Sequence, residues 1–170
     1  MGDLFGYSAV VAEAKTIKAI SLWQPWASLV AAHVKRHETR HWSTPYRGLI
    51  AIHAAKTLDV AGAPEELCQA VLGRDWRHTV PLGAVVAIGA LTACTETSRL
   101  APSITSADRA AGNYAPGRFA WRIENVRALQ TPITVAGRQG LFNFALPDDL
   151  EARLGPTMDH GEACRIVGWA

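Results

Sequence analysis

His33-Val34-Lys35-Arg36-His37-Glu38-Thr39-Arg40 brings a lysine, a carboxylate and an arginine into one octapeptide. Trp23 and Trp26 precede it, and Trp42 and Tyr46 follow it. Alternate residues of an extended chain share a face, so Glu38 and Arg40 can pair or flank one ligand. Lys35 falls where a preceding helix ends and the chain reverses. Over a partly dry cleft, desolvation would disfavour its charge while Glu38 would restore it. A lysine balanced in this way can orient water, donate a proton or stabilise an oxyanion. From residue types alone, the commoner reading of such a trio is a structural ion pair.

Working outward, 17–22 reads as a strand, and Gln24-Pro25 opens a helix with proline in its first turn, running to about His33. A strand over 36–42 and a turn at Ser43-Thr44-Pro45 lead to a second strand over 48–54. There Ile50, Ile52 and Ala54 share one face, with Leu49, Ala51 and His53 on the other. Residues 64–72 read as a helix. The run 83–92 predicts a strand buried on both sides, with Gly89 at a bulge or bend. The stretch 96–117 is polar and rich in Ser, Ala, Pro and Gly, which predicts a long loop with one helical turn. In 118–126, Phe119, Trp121 and Ile123 alternate with Arg118, Arg122 and Glu124. A turn over 137–140 enters a last strand with Leu141, Phe142 and Phe144, and Pro147-Asp148-Asp149 begins a short acidic helix. Short strands, glycine-rich turns and few helices predict an α+β fold, mainly β: a small β-barrel with helices at its rim.

The chain has 170 residues, 49% of them hydrophobic and 19% charged, enough for one compact core but not two full domains. We expect an arm over 1–15, a central domain over 16–146 and an acidic tail over 147–170 packing on the barrel. No apolar run approaches the ~20 residues of a membrane helix, and no secretion signal is evident, so a cytoplasmic protein is the default expectation. Cys68, Cys94 and Cys164 are too widely spaced for a zinc site or a disulfide framework. All three are expected to be reduced, with Cys94 buried in a strand. The net charge is +2, yet 33–56 carries five cations against Glu38 alone, +4 locally, leaving −2 elsewhere. Such a basic patch suits a phosphate-bearing partner at one site rather than a long duplex, although a solvated basic face has the same composition.

His33, His37 and His41 recur at a spacing that would align them on a helix as metal ligands. The intervening cations and the strand-like pattern argue against a dication, and we expect neither metal nor cofactor. There is no phosphate-cradling Gly-x-x-x-x-Gly-Lys loop, no dinucleotide fingerprint and no Gly-x-Ser-x-Gly elbow.

The order Leu22-Trp23-Gln24-Pro25-Trp26-Ala27, Lys35-x-x-Glu38-x-Arg40, Tyr46-Arg47-Gly48 and Ile52-His53-Ala54-Ala55-Lys56 resembles the ASCH domains, relatives of the PUA RNA-binding fold. The Gly-x-Lys-x-x-Glu-x-Arg signature of that family is matched at Lys35, Glu38 and Arg40, and His33 replaces its glycine. Glycine there would make an ideal left-handed helix cap, a geometry that histidine tolerates less well. Asn113-Tyr114-Ala115-Pro116-Gly117-Arg118 resembles the family's entry to a late strand, and Gly137-Arg138-Gln139-Gly140 its closing turn. The likeness extends over roughly 17–145.

The resemblance implies a PUA-like barrel whose cleft, between the first helix and the barrel mouth, receives single-stranded RNA or a nucleoside or nucleotide. Trp23 and Trp26 are candidate stacking walls, and Gln24 lies between them. Arg40, Arg47 and Lys56 are candidates for phosphate or base edges, with Tyr46 beside Arg47. His53, Tyr114, Arg118 and Gln139 complete the expected substrate-binding set. Oligomeric state is not legible. Other members resemble ribonucleases or hydrolyse the amide of N4-acetylcytidine with the signature lysine, a threonine and a carboxylate. In such a hydrolase Lys35 and Glu38 would be the catalytic pair, Lys35 stabilising developing charge and Glu38 activating water. Glu38 stands where that threonine would fall, and Glu96 or Asp108 could supply the carboxylate.

Overall fold

Apolar residues on both faces of the first strand divide the interior in two. In β1 (Thr16–Gln24), Ile20 and Leu22 enter one core cluster, while Ile17 and Ala19 enter another. β3 (Gly48–Leu58) repeats the division, with Ile50, Ile52 and Ala54 on the first side and Ala51 on the second. This is the alternation expected of a pleated chain buried on both faces. The computed structural model describes residues 15–100 and 103–169; apart from Lys15, the arm expected over 1–15 lies outside them.

The remaining strands are β2 (His37–Arg40), β4 (Ala84–Glu96), β5 (Phe119–Thr134), β6 (Leu141–Ala145) and β7 (Leu154–Thr157). They form one seven-stranded sheet in the order β2-β5-β4-β3-β1-β6, with β7 pairing β5. β1 and β3 run parallel, and the other ladders are antiparallel. Among the described residues no ladder joins β2 to β6, so the sheet is open and the expected barrel is not confirmed. The architecture is mixed α+β, and no helix among the described residues is long and apolar enough to cross a membrane.

Three differences from the sequence reading bear on function. The first helix, α1 (Trp26–Ala31), has Pro25 at its N-cap rather than inside its first turn, and it ends two residues before His33. His33 itself adopts φ 66°, the left-handed conformation that the signature glycine would favour. The turn is therefore kept in spite of the Cβ, and Lys35 N–H bonds back to Leu29 O at 3.1 Å. Second, β5 runs eight residues beyond the predicted strand, because its mixed later part is placed by pairing with β4 and β7 rather than by a clean apolar alternation. Third, the tail holds more than the expected acidic helix. After α5 (Leu150–Arg153) come β7 and α6 (His160–Ile166), whose Ala163 and Cys164 pack with Leu29, Val34 and Trp76 behind the signature segment.

The expected helix is α2 (Glu65–Leu72), and the short α3 (Trp76–Thr79) was not foreseen. The helical turn expected within 96–117 is α4 (Ser106–Ala110), whose N-cap Thr105 accepts a hydrogen bond from Asp108 N–H. Gly89 sits at a shift of register in β4, and a Cβ there would meet Ile123 Cγ2 at 2.7 Å. Close approach of β5, more than backbone freedom, demands glycine at that point. All three cysteines are free; Cys94 is half-buried rather than buried.

Trp121 is fully buried, meets Trp42 edge-on at 4.5 Å and donates from Nε1 to Trp42 O at 3.2 Å. Trp121→Ala should cost about 3–5 kcal/mol in urea unfolding, and wild-type stability would contradict this packing. A left-handed non-glycine residue carries about 1 kcal/mol of strain, so His33→Gly should raise stability by up to about that amount. A loss in the same unfolding assay would show that the imidazole contributes more than the backbone strain removes.

Candidate functional site

β2 is a four-residue strand at one end of the sheet, too short to be held by its ladder alone. Asp108 from α4 supplies the rest. Fully buried, it accepts hydrogen bonds at Oδ1 from the backbone N–H groups of Arg36 (2.8 Å) and His37 (3.1 Å). Its Oδ2 lies 3.1 Å from His37 Nδ1 and 3.4 Å from His160 Nε2. Burial alone would push this carboxyl's pKa up. The hydrogen bond and charge of His37, the charge of His160 and the Arg36 N–H together hold it below the usual range. His160 donates from Nδ1 to His33 O at 2.8 Å, so α6 also fixes the turn before Lys35. The sequence named Asp108 only as a possible catalytic carboxylate. Its anchoring partners are brought together only by the fold.

Lys35 is 2% exposed. Its ammonium donates to His37 O (2.8 Å) and Ala111 O (2.6 Å), lies 3.2 Å from Glu38 Oε2 and sits 5.9 Å from the Trp26 ring centroid. Arg40 closes the trio with Nε 2.8 Å from Glu38 Oε1, and it donates to Ser21 O at 2.8 Å. Each cation thus holds a different oxygen of Glu38.

This trio borders a cleft made of two adjoining hollows. One, about 410 Å³, lies between Trp26, Lys35, Glu38 and the 110–113 segment; the other, about 210 Å³, lies between Trp23, Trp26, Arg40 and His41. Trp26, Glu38, Thr39 and Arg118 line both. Trp23 is 55% exposed at the rim. Arg118 donates to Thr39 O at 3.0 Å, while its shielded Nε has no hydrogen-bond partner. The Nε of Arg40 is shielded in the same way, so these are N–H groups enclosed within the site, and what Arg118 presents to the cleft is the partly exposed remainder of its guanidinium.

The other expected residues fall elsewhere. His53, Lys56 and Gln139 line a separate hollow of about 420 Å³ with Ser21 and Arg138. His53 Nε2 donates to Val135 O at 2.9 Å, and its Nδ1 accepts from the Ser21 hydroxyl at 3.0 Å. Gln24 is fully buried; its amide serves Ser28 and Pro81 O, bracing the start of α1. Tyr46 bonds Leu49 O and Arg47 bonds Thr44 O and Tyr46 O, so both tie the 44–49 turn. Tyr114 packs edge-on against His37, its hydroxyl buried without a partner. Burial first, then the charges of Asp108 and Glu38, push that phenol's pKa up. The three histidines diverge: His33 lies in its turn, His37 bonds Asp108 and His41 is exposed.

A family model described as the ASCH domain matches residues 20–133. Among solved structures, the chain is similar to the ASCH protein from Zymomonas mobilis, at 15% identity and TM-score 0.48, covering 83% of this chain and 97% of that one. A tyrosine-to-phenylalanine variant of that protein gives 16% identity and TM-score 0.47, covering 79% and 93%. No curated protein matches the chain.

Burial lowers the pKa of both His33 and His53; in His33 the charge of His160 adds to the effect, and in His53 the Val135 hydrogen bond opposes it. In the unfolded chain each protonates near ~6.5, whereas the folded chain resists until lower pH. Stability should therefore fall as pH drops below about 6.5 and level off beneath the depressed folded values. Urea unfolding at neutral pH and near pH ~5 should show a smaller drop for His53→Gln, with the His33 share persisting; an unchanged drop would refute the assignment to His53.

Proposed function

The chain belongs to the ASCH domain family, and on that premise we propose that it binds RNA or a modified nucleotide in the cleft between α1, β2 and α4. The observation that carries the reading is the meeting of Lys35, Arg40 and Arg118 with Trp23 and Trp26 around adjoining hollows of about 410 and 210 Å³. Single-stranded RNA is read through splayed bases stacked on aromatic rings, with cations at the phosphates. The half-exposed Trp23 offers such a ring, and the partly exposed Arg118 lines both hollows with its guanidinium. Lys35 acts here as part of the frame. With three acceptors around its ammonium it offsets Glu38 and stays in place, and the cations of the cleft left to meet a ligand are Arg40 and Arg118, with Asp59 also in the lining.

The same geometry favours binding over hydrolysis of RNA or of N4-acylated cytidine. A general base needs a carboxylate oxygen directed at the attacking water. Both oxygens of Glu38 instead lie in ion-pair contact with cations, Oε1 2.8 Å from Arg40 Nε and Oε2 3.2 Å from the Lys35 ammonium.

Equilibrium binding of a fluorescent single-stranded RNA, with product analysis of RNA and N4-acetylcytidine incubations, tests this reading. Arg118→Ala should weaken binding roughly tenfold or more, as loss of a charged hydrogen bond does. Trp23→Ala should remove the ~1–3 kcal/mol of a stacked base. Unaltered affinity in both variants sinks the assignment. Acetate release or RNA cleavage that disappears with Lys35→Ala would replace binding by hydrolysis. The sequence alone suggests that Lys35→Ala leaves stability intact. Its burial reverses that expectation, and a loss of about 3–5 kcal/mol should accompany the variant, so its fold is checked first.

A further inference from the structure

Ser21 belongs to two cavities. Its carbonyl holds Arg40 at the signature cleft, where it lines the smaller hollow beside Trp23, and its hydroxyl faces the separate hollow of about 420 Å³. That second hollow has an unusual balance of charge. Lys56 and Arg138 line it, and no carboxylate does. Among the described residues neither cation has a hydrogen bond or an ion pair, whereas Lys35, Arg36, Arg40, Arg77, Arg122 and Arg127 each meet a carboxylate. The cavity beside Arg36 and Arg122 makes the contrast plain, since Glu124 and Asp159 line it with them.

The hollow is also held in shape. His53 fixes one wall through Val135 O, and Gly137 lies so close that a Cβ there would meet His53 Cε1 at 2.4 Å and Ser21 Oγ at 2.7 Å. The stem of Lys56 packs over Gly83, leaving its ammonium free. Arg138 follows directly on Gly137, so the seating of the 135–137 segment sets where its guanidinium starts.

We propose that this hollow is a phosphate subsite next to the signature cleft, across Ser21: a strand with one nucleotide beside Trp23 and Arg118 passes Ser21 and places a neighbouring phosphodiester between Lys56 and Arg138. The inference rests on the nucleotide reading of the cleft and narrows it. The ligand class becomes an oligonucleotide of two or more residues rather than a free nucleoside.

Isothermal titration with cytidine and with a cytidine trinucleotide, over a series of salt concentrations, separates the two. The trinucleotide should bind at least about tenfold more tightly, since a charged contact to phosphate adds that much. Lys56→Ala and Arg138→Ala should each weaken the trinucleotide roughly three- to tenfold and lower its salt slope by about 0.7, leaving cytidine unchanged. Both side chains are exposed, so melting should stay at the wild-type temperature. A trinucleotide that responds to Arg118→Ala but not to the Lys56→Ala, Arg138→Ala double variant overturns the subsite and leaves the cleft reading standing. Displacement of the trinucleotide by an equal concentration of inorganic phosphate overturns the strand path in favour of a free-anion site. If neither cytidine nor the trinucleotide binds the wild-type chain, the cleft reading fails and the subsite falls with it.

Discussion

A single carboxylate with no access to water, Asp108, determines where the signature segment lies. Burying an unpaired carboxylate costs several kcal/mol. Asp108 offsets that cost with two backbone N–H groups, the His37 imidazole and the nearby His160. Hydrogen bonds to a charged group each contribute about 1.5–3 kcal/mol, so the arrangement closes only when all three chain segments are in place. β2 cannot leave the sheet without orphaning Asp108, and α4 cannot shift without exposing it. The cleft is thereby framed on two sides before any ligand arrives.

Lys35 depends on the same frame. Its bond to Ala111 O needs α4 seated by Asp108, and its bond to His37 O needs β2 in register. A buried lysine with three acceptors sits rigidly, and its charge is shared with Glu38 and Arg40. The motif therefore works first as a structural core of the cleft. Trp23 and Arg118 remain, one half-exposed and the other partly exposed along both hollows, as the groups most available to a ligand.

Much of this was legible in the chain of letters, and the exceptions share a cause. Alternation marked β1, β3, the start of β5 and β6, because burial of one face imposes a period of two that survives in the residue order. Lys35, Glu38 and Arg40 were legible as neighbours because they are close along the chain. The second half of β5, β7 and α6 were not, since pairing and packing with distant partners, rather than local pattern, define them. The division of the candidate residues was hidden for the same reason. His53, Lys56 and Gln139 gather around Ser21 through sheet order and the 135–140 turn, and Gln24 looked available only because its partner Pro81 O is remote in sequence. Asp108 carries no local motif. Its place beside Arg36 and His37 spans more than seventy residues of intervening chain.

His33 holds the glycine-like turn, and its carbonyl is pinned by His160 from the end of the chain. A fragment trimmed to 20–133, the span that the family model covers, would retain the whole trio and every ring around it. It would nevertheless lack the imidazole that clamps this turn, the β7 ladder on β5, and β6, the neighbour of β1 at the other end of the sheet. The minimal unit able to present the cleft is thus longer than the stretch by which kinship is detected, and cutting at the detected boundary would remove the scaffolding, and Arg138 with it, while leaving the letters of the signature untouched.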